Sequence, residues 1–250
     1  VCLIVKLGQR YKGRGRISPL ADYVQLDISG LSAIEIVQNY FMLEIDKPII
    51  LLGDRTEKGY YSSEDHMLSP ERMYEIKDAI SSLQAFGAEI LAITFSPVSR
   101  VGLKSLGSKI TYSEFVDKLN EIYQIPVLVR NVSNKDLYLS TPEEVVEFSK
   151  IHKLTIDSFA LLEACDNSVE KYLDTISKID IRNVQEIHVY SIGMSTKSFV
   201  GNEKLNHGVD MSVLMEYVKK IPLATFMLTE SGGTGSEFEK VVSGIFDSLK

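Results

Sequence analysis

The fold is decided by three stretches: Ile125-Pro126-Val127-Leu128-Val129-Arg130-Asn131, then Ser140-Thr141-Pro142-Glu143-Glu144, then Leu154-Thr155-Ile156-Asp157. A β-branched apolar run, a helix opening and a second apolar run, all within roughly 30 residues, form the pattern of a parallel β-α-β unit. Thr141 stands before a proline suited to the first helical position, with Glu144 three residues on, which is the spacing of a capping box. Both strands end in polar residues. Arg130-Asn131 closes the first and Asp157 the second.

The alternation continues on either side. Strands are expected at Cys2–Leu7, Tyr23–Ile28, Pro48–Gly53, Glu89–Ser96, Pro126–Asn131, Leu154–Ser158, Glu186–Ile192 and Thr225–Ser231. Helices are expected at Ile34–Leu43, Pro70–Phe86, Ser113–Tyr123, Pro142–Ile151, Ser168–Ile179, Met211–Val218 and Glu237–Leu249. Ser69 and Pro70 open the second of these and Gly87 closes it, while Ser236 and Glu239 give a second capping box. Eight strands alternating with helices in 250 residues predict an α/β fold, a single (β/α)8 TIM barrel with residues 1–250 as one domain. No internal repeat, charge block or Gly/Ser linker divides the chain. The rival, a doubly wound open sheet, lacks its glycine-rich turn after the first strand. Strand parity agrees with a barrel. Gln25, Asp27, Thr94, Ser96, Thr155, Asp157, His188 and Tyr190 take one parity, whereas Leu26, Leu91, Ile93, Ile156, Ile187 and Val189 take the other.

Composition narrows the function classes. With 44% hydrophobic and 24% charged residues the chain is neither disordered nor low in complexity, and no apolar run is long enough to cross a bilayer. Cys2 and Cys165 make neither a disulfide framework nor a zinc knuckle. The opening Val1–Leu7 run is too short for a secretory signal, so a cytoplasmic setting is expected. A net charge of -7 speaks against nucleic-acid binding by the whole molecule and leaves room for a local basic patch.

Arg130, Asp157, His188 and Glu230 stand at the ends of consecutive strands, where a barrel builds its site. Two carboxylates and an imidazole converging there could hold a divalent metal, or could be an ordinary polar barrel end paired internally. The segment Gln9–Arg16 carries Arg10, Lys12, Arg14 and Arg16, which reads as an anion-binding loop or as a solvated one. Gly232 and Gly233 precede Ser236 at a helix opening, a place for phosphate or simply a tight turn. His66 and Cys165 weigh less, and His152 is assigned no chemistry.

On these residues the chain resembles the xylose-isomerase-like superfamily of barrels, which includes sugar isomerases, ketose epimerases, inosose dehydratase-type enzymes and the endonuclease IV type of apurinic-site nuclease. The resemblance rests on the three opening stretches together with Glu186-Ile187-His188-Val189-Tyr190, Asn206-His207-Gly208-Val209-Asp210 and Phe226-Met227-Leu228-Thr229-Glu230. It is carried by residues 85–250, and the first third matches in topology alone. It implies metal ligation (Zn, Mn or Mg) by Asp157, His188, Glu230 and His207, with Glu230 as general base. It implies a sugar or sugar-phosphate isomerase or epimerase-like activity, with Glu230, His188 and Arg130 as catalytic residues and a small anionic or sugar-like ligand. The alternatives are an apurinic-site phosphodiesterase and a non-catalytic barrel binding an anion or a partner. Barrels of this type often dimerise, which allows a homodimer without specifying one.

Three departures bear on the metal. Arg130 stands where the family has a strand-five Glu, Ala160 where its Asp motif continues to a His, and Gln25 and Asp27 where strand two ends in a Glu motif. Two unit charges 4 Å apart at an effective dielectric of 20 interact by about 4 kcal/mol, so Arg130 would oppose a divalent ion by roughly twice that. Carboxylate ligands could offset the repulsion, or Arg130 could take the cation's place and bond Asp157 and Glu230 directly.

Overall fold

Strand β4 (Ile90–Phe95) shows the rule on which the architecture is built. Ile93 and Phe95 pack outward with helical side chains in the main core, while Thr94 is buried on the opposite face among polar groups. A strand covered on both sides in this way belongs to a parallel sheet wrapped by helices. The structure is a computed structural model that describes residues 6–11, 16–43, 46–53, 69–105 and 110–189, and the backbone of 226–229.

The remaining strands are β1 (Lys6–Tyr11), β2 (Tyr23–Asp27), β3 (Ile49–Leu52), β5 (Val127–Arg130), β6 (Leu154–Asp157), β7 (Val184–Val189) and β8 (Phe226–Thr229). Every neighbouring pair is parallel and the order is sequential, with β8 pairing back onto β1 to close the barrel. Helices follow β2 to β6: α1 (Ala33–Met42), α2 (Pro70–Ala85), α3 (Arg100–Ser105), α4 (Tyr112–Tyr123), α5 (Pro142–Ser149), α6 (Ser158–Ala164) and α7 (Val169–Lys178). The helices expected at 211–218 and 237–249 lie outside the described residues. Among the described residues no helix is long and apolar enough to cross a membrane.

Two cores result from the alternation. The outer one joins Val24, Leu26, Ile49, Leu51, Val127, Val129, Ile156 and Ile187 to helical residues such as Ile76, Phe115 and Tyr172. The inner one is small: Tyr23, Ile50, Ala92 and Leu128. Gly8 makes room for it, because a Cβ there would sit 2.0 Å from the Tyr23 ring. Leu91, expected on the outward face, packs against this inner cluster instead. The pairing of β3 with β4 slips between Ile49 and Ile50, whose partners are Ile90 and Ala92, and Leu91 is the residue left over.

The largest difference from expectation is at the first strand, which continues four residues beyond Leu7, while residues 2–5 lie outside the described residues. Gln9 and Arg10, read as loop, pair with Val24 and Gln25 of β2. A polar run can be a strand here because its side chains are fully engaged. The Gln9 side chain accepts from the Ser18 amide at 2.7 Å and donates to the Arg16 carbonyl, and Arg10 turns into the barrel. Helices α3 and α6 were also unexpected; α6 starts directly from β6 with Asp157 as its N-cap. At α5 only half of the expected capping box forms. Thr141 accepts from the Glu144 amide, but the Glu144 carboxylate accepts from the Ser140 amide and pairs with Arg100. Complete boxes occur instead at Ser32/Glu35 and Thr111/Glu114.

His152, between α5 and β6, is buried against Phe148 with Nε2 2.6 Å from Ser113 Oγ. Burial lowers its pKa below the ordinary histidine value, against the opposing pull of Asp117. A depressed histidine is neutral in the fold but protonates first in the unfolded chain, near pH 6.5. Its contribution to stability is therefore complete above that value and is lost as pH falls towards the folded pKa. Thermal melts from pH 8 to 5 should show the wild type losing stability relative to His152→Gln as pH drops. A constant difference would refute the assignment.

Candidate active site at the barrel mouth

Above the inner apolar cluster the barrel interior turns polar, around a residue that the sequence reading left without a role. Glu186 is fully buried. The pairing of β6 with β7 slips between Leu154 and Thr155, whose partners are Val184 and Glu186, so Gln185 is the extra residue. That bulge lets Val184 and Ile187 both join the outer core while Glu186 and His188 both turn inward. Five side chains then converge on the carboxylate. Tyr23 donates to Oε1 at 2.9 Å, Gln25 Nε2 straddles both oxygens at 3.3 Å, and Thr94 and Thr155 donate to Oε2 at 3.2 and 3.1 Å. His188 Nε2 lies 3.1 Å from the same Oε2. Gln25 in turn accepts from Arg10 Nε at 2.7 Å.

Electrostatics follow from this packing. Burial by itself would raise the Glu186 pKa, yet His188, Tyr23 and Arg10 outweigh it and hold the carboxyl below its usual range. Burial, and then the Glu186 charge, push the Tyr23 phenol well above its ordinary value. His188 is lowered, first by burial and also by the Arg10 and Arg130 guanidiniums, with Glu186 pulling the other way.

Nearer the strand ends lies Arg130, the last residue of β5 and also buried. Its Nη2 donates to Ser96 Oγ at 3.0 Å, and its Nη1 is 3.8 Å from Asp157 Oδ2. The other oxygen of Asp157 accepts from the Ala160 amide at 2.9 Å, capping α6. Asn131 clips β5 to β6 beyond the last ladder pair, donating to the Asp157 carbonyl and accepting from its amide. Ser158 clips β6 to β7 through the His188 carbonyl. Two buried polar atoms of this mouth have no partner among the described residues: Arg130 Nε, a donor, and His188 Nδ1.

Of the four residues expected to hold a metal, Asp157 and His188 are described, and Glu230 and His207 lie outside the described residues. The described pair does not fit a cation site. Asp157 caps a helix and faces a guanidinium, and the Nε2 of His188 is directed at Glu186. Among the described residues no group of three or more His, Cys, Asp or Glu could hold a metal ion. Arg130 occupies the strand-five position from which a ligand would come.

The anion-loop residues divide. Arg10 belongs to β1 and is buried in the interior, Arg16 is exposed, and Lys12 and Arg14 lie outside the described residues, as do Gly232, Gly233 and Ser236. Glu186 was legible in principle: it precedes His188 by two residues, so the parity that turns one inward turns the other.

No protein-family model matches the chain, and no curated protein matches it. Solved structures do. A xylose isomerase domain protein from Planctomyces limnophilus superposes with a TM-score of 0.59 at 12% identity, over 98% of this chain and 96% of that one. D-allulose 3-epimerase from Methylomonas sp. gives 0.54 at 12% identity, over 97% and 91%. A fungal endo-β-N-acetylglucosaminidase of glycosyl hydrolase family 18 gives 0.53 at 10% identity, over 94% and 95%. At such identities the likeness establishes the fold: a parallel α/β barrel of the kind found in xylose isomerase domain proteins. Because a glycosidase shares it, the activity must be argued from the site.

Tyr23→Phe removes one donor from Glu186 without enlarging the core. It should cost about 1.5–3 kcal/mol, the range for a hydrogen bond to a charged group, measured by urea unfolding. A loss within a few tenths of a kcal/mol of zero would mean that Glu186 is not held as an anion by these donors.

Proposed function

We propose that this chain is a single-domain (β/α)8 barrel acting as a sugar or sugar-phosphate isomerase or epimerase-like enzyme at the C-terminal mouth, in a cytoplasmic setting. One observation carries the reading: a buried imidazole nitrogen and a buried guanidinium N–H, each without a partner among the described residues, belong to the same mouth. Leaving either without a partner costs about 1–3 kcal/mol, and a hydroxy-carbonyl compound supplies what both need. Its carbonyl oxygen accepts from Arg130 Nε, and the neighbouring carbon presents its proton to His188 Nδ1.

The chemistry is proton transfer beside a carbonyl. His188 Nδ1 takes the proton from the α-carbon, the C–H pair becomes the C=C bond of an enediolate, and the carbonyl pair moves onto oxygen. Arg130 stabilises that developing negative charge, and the electrostatic term is greatest where water is excluded. Return of the proton from His188 to the adjacent carbon, while the remaining hydroxyl proton passes from one enediolate oxygen to the other, completes an isomerisation. Inversion at one carbon needs a second proton-transferring group on the opposite face, for which Glu230, expected as a general base, is the candidate. The nuclease reading has less support, because Arg10 is taken out of the basic loop that favoured it.

The test is solvent proton exchange. Aldoses, ketoses and their phosphates are incubated with the protein in D2O, and deuterium at the carbon next to the carbonyl is read by NMR. Exchange with at least one compound is expected, with His188→Gln and Arg130→Met each slowing it by roughly 10^2–10^4-fold. Ligands that stabilise the protein thermally but never exchange would replace this reading with a non-catalytic sugar- or anion-binding barrel.

A further inference from the structure

We infer that Glu186 is a positioning residue, which fixes His188 as the Nε2–H tautomer and so keeps Nδ1 as a bare acceptor facing the ligand. The inference rests on His188 being the base of the mouth, but its geometry stands independently.

The tautomer follows from donor and acceptor counting. Gln25 Oε1 accepts from Arg10 Nε at 2.7 Å, which fixes the orientation of the Gln25 amide. Its Nε2 must therefore face inward, where it is 3.3 Å from both Glu186 oxygens and 3.3 Å from His188 Nε2. If His188 Nε2 were bare, it could accept from Gln25. Its lone pair would then confront Glu186 Oε2 at 3.1 Å, and a buried Nδ1–H would have no acceptor. If Nε2 carries the proton, it donates to Oε2, the Gln25 hydrogens serve the two carboxylate oxygens, and Nδ1 is left as an acceptor. The second arrangement satisfies every group except the one turned to the site. In histidine dyads generally, the bond made by one ring nitrogen sets which nitrogen is free to react.

The carboxylate is itself held against rotation, because Tyr23, Thr94 and Thr155 grip it from β2, β4 and β6. Arg10 supplies the balancing charge through Gln25. The chain of contacts Arg10–Gln25–Glu186–His188 thus runs from β1 across the interior to β7 and depends on no metal ion.

Nitrogen NMR of the labelled protein tests this, with the His188 signals assigned from their loss in His188→Gln. The expected wild-type spectrum has Nε2 protonated and Nδ1 unprotonated. Glu186→Gln introduces a donor where only acceptors fit, and should shift His188 to Nδ1–H or to an exchanging mixture. Glu186→Asp retains the charge and should retain Nε2–H. Where the solvent-exchange assay finds a substrate, Glu186→Gln should lower kcat by roughly 10^2–10^4-fold with little change in KM. A wild-type Nδ1–H tautomer would overturn the inference without any variant having to fold. So would an unchanged tautomer in a folded Glu186→Gln. Failure of the exchange assay alone bears on the proposed activity and leaves the tautomer result standing.

Discussion

A carboxylate buried inside a barrel imposes conditions on every strand around it. Desolvating an ion costs several kcal/mol even after relaxation, so the fold is stable only if donors are already in place when Glu186 is enclosed. They come from β2, β4, β6 and β7, which spreads the requirement around the barrel and not along one edge. This requirement accounts for otherwise odd features of the sequence. Thr94 and Thr155 stand in strands whose outward residues are aliphatic, and Gly8 is needed so that the Tyr23 ring can cross towards the carboxylate. The bulge at Gln185 exists in the same sense: without it, Gln185 and not Glu186 would face Thr155.

The same carboxylate sets the chemistry of the layer above. His188 Nε2 lies 3.1 Å from this carboxylate, and Arg10 is tied to it through Gln25. Burial first, and then Arg10 and Arg130, make protonation of His188 harder, while Glu186 favours it. A single buried anion therefore acts structurally below and electrostatically above. Asn131 and Ser158 serve a different purpose, since they continue the sheet by side-chain bonds where the ladder has stopped and keep the ends of β5, β6 and β7 in register at the mouth.

Much of the fold was legible because hydrophobic alternation is a direct consequence of a two-sided strand. Seven of the eight strands lie within a few residues of where the sequence put them, and Gln25, Thr94, Thr155, Asp157 and His188 face the interior as their parity implied. The first strand was misplaced because its pattern is polar. Arg10 bonds Gln25 inside the barrel, a partner remote in sequence, and no local rule reveals that. Leu91 was misassigned for a related reason: a bulge resets parity, and its position depends on the neighbouring strand. For the site, sequence identified Arg130, Asp157 and His188 as strand-end residues but could not see that Asp157 is spent on capping α6. It missed Glu186 because a glutamate at a strand start reads as solvent-facing.

Charge balance explains why a guanidinium is tolerated at the end of β5. Among the described residues the interior holds two carboxylates, Glu186 and Asp157, and two guanidiniums, Arg10 and Arg130, which balance one another in formal charge. A divalent ion 4 Å from Arg130 would be opposed by roughly 8 kcal/mol at an effective dielectric of 20. On the proposed mechanism the guanidinium offers fixed donors to a developing oxyanion, without open coordination positions. In that mechanism a ligand that enters as a neutral carbonyl compound and becomes an enediolate would bring its negative charge only as the reaction proceeds. It is then that the Arg130 N–H and the proton newly carried by His188 would both be compensated.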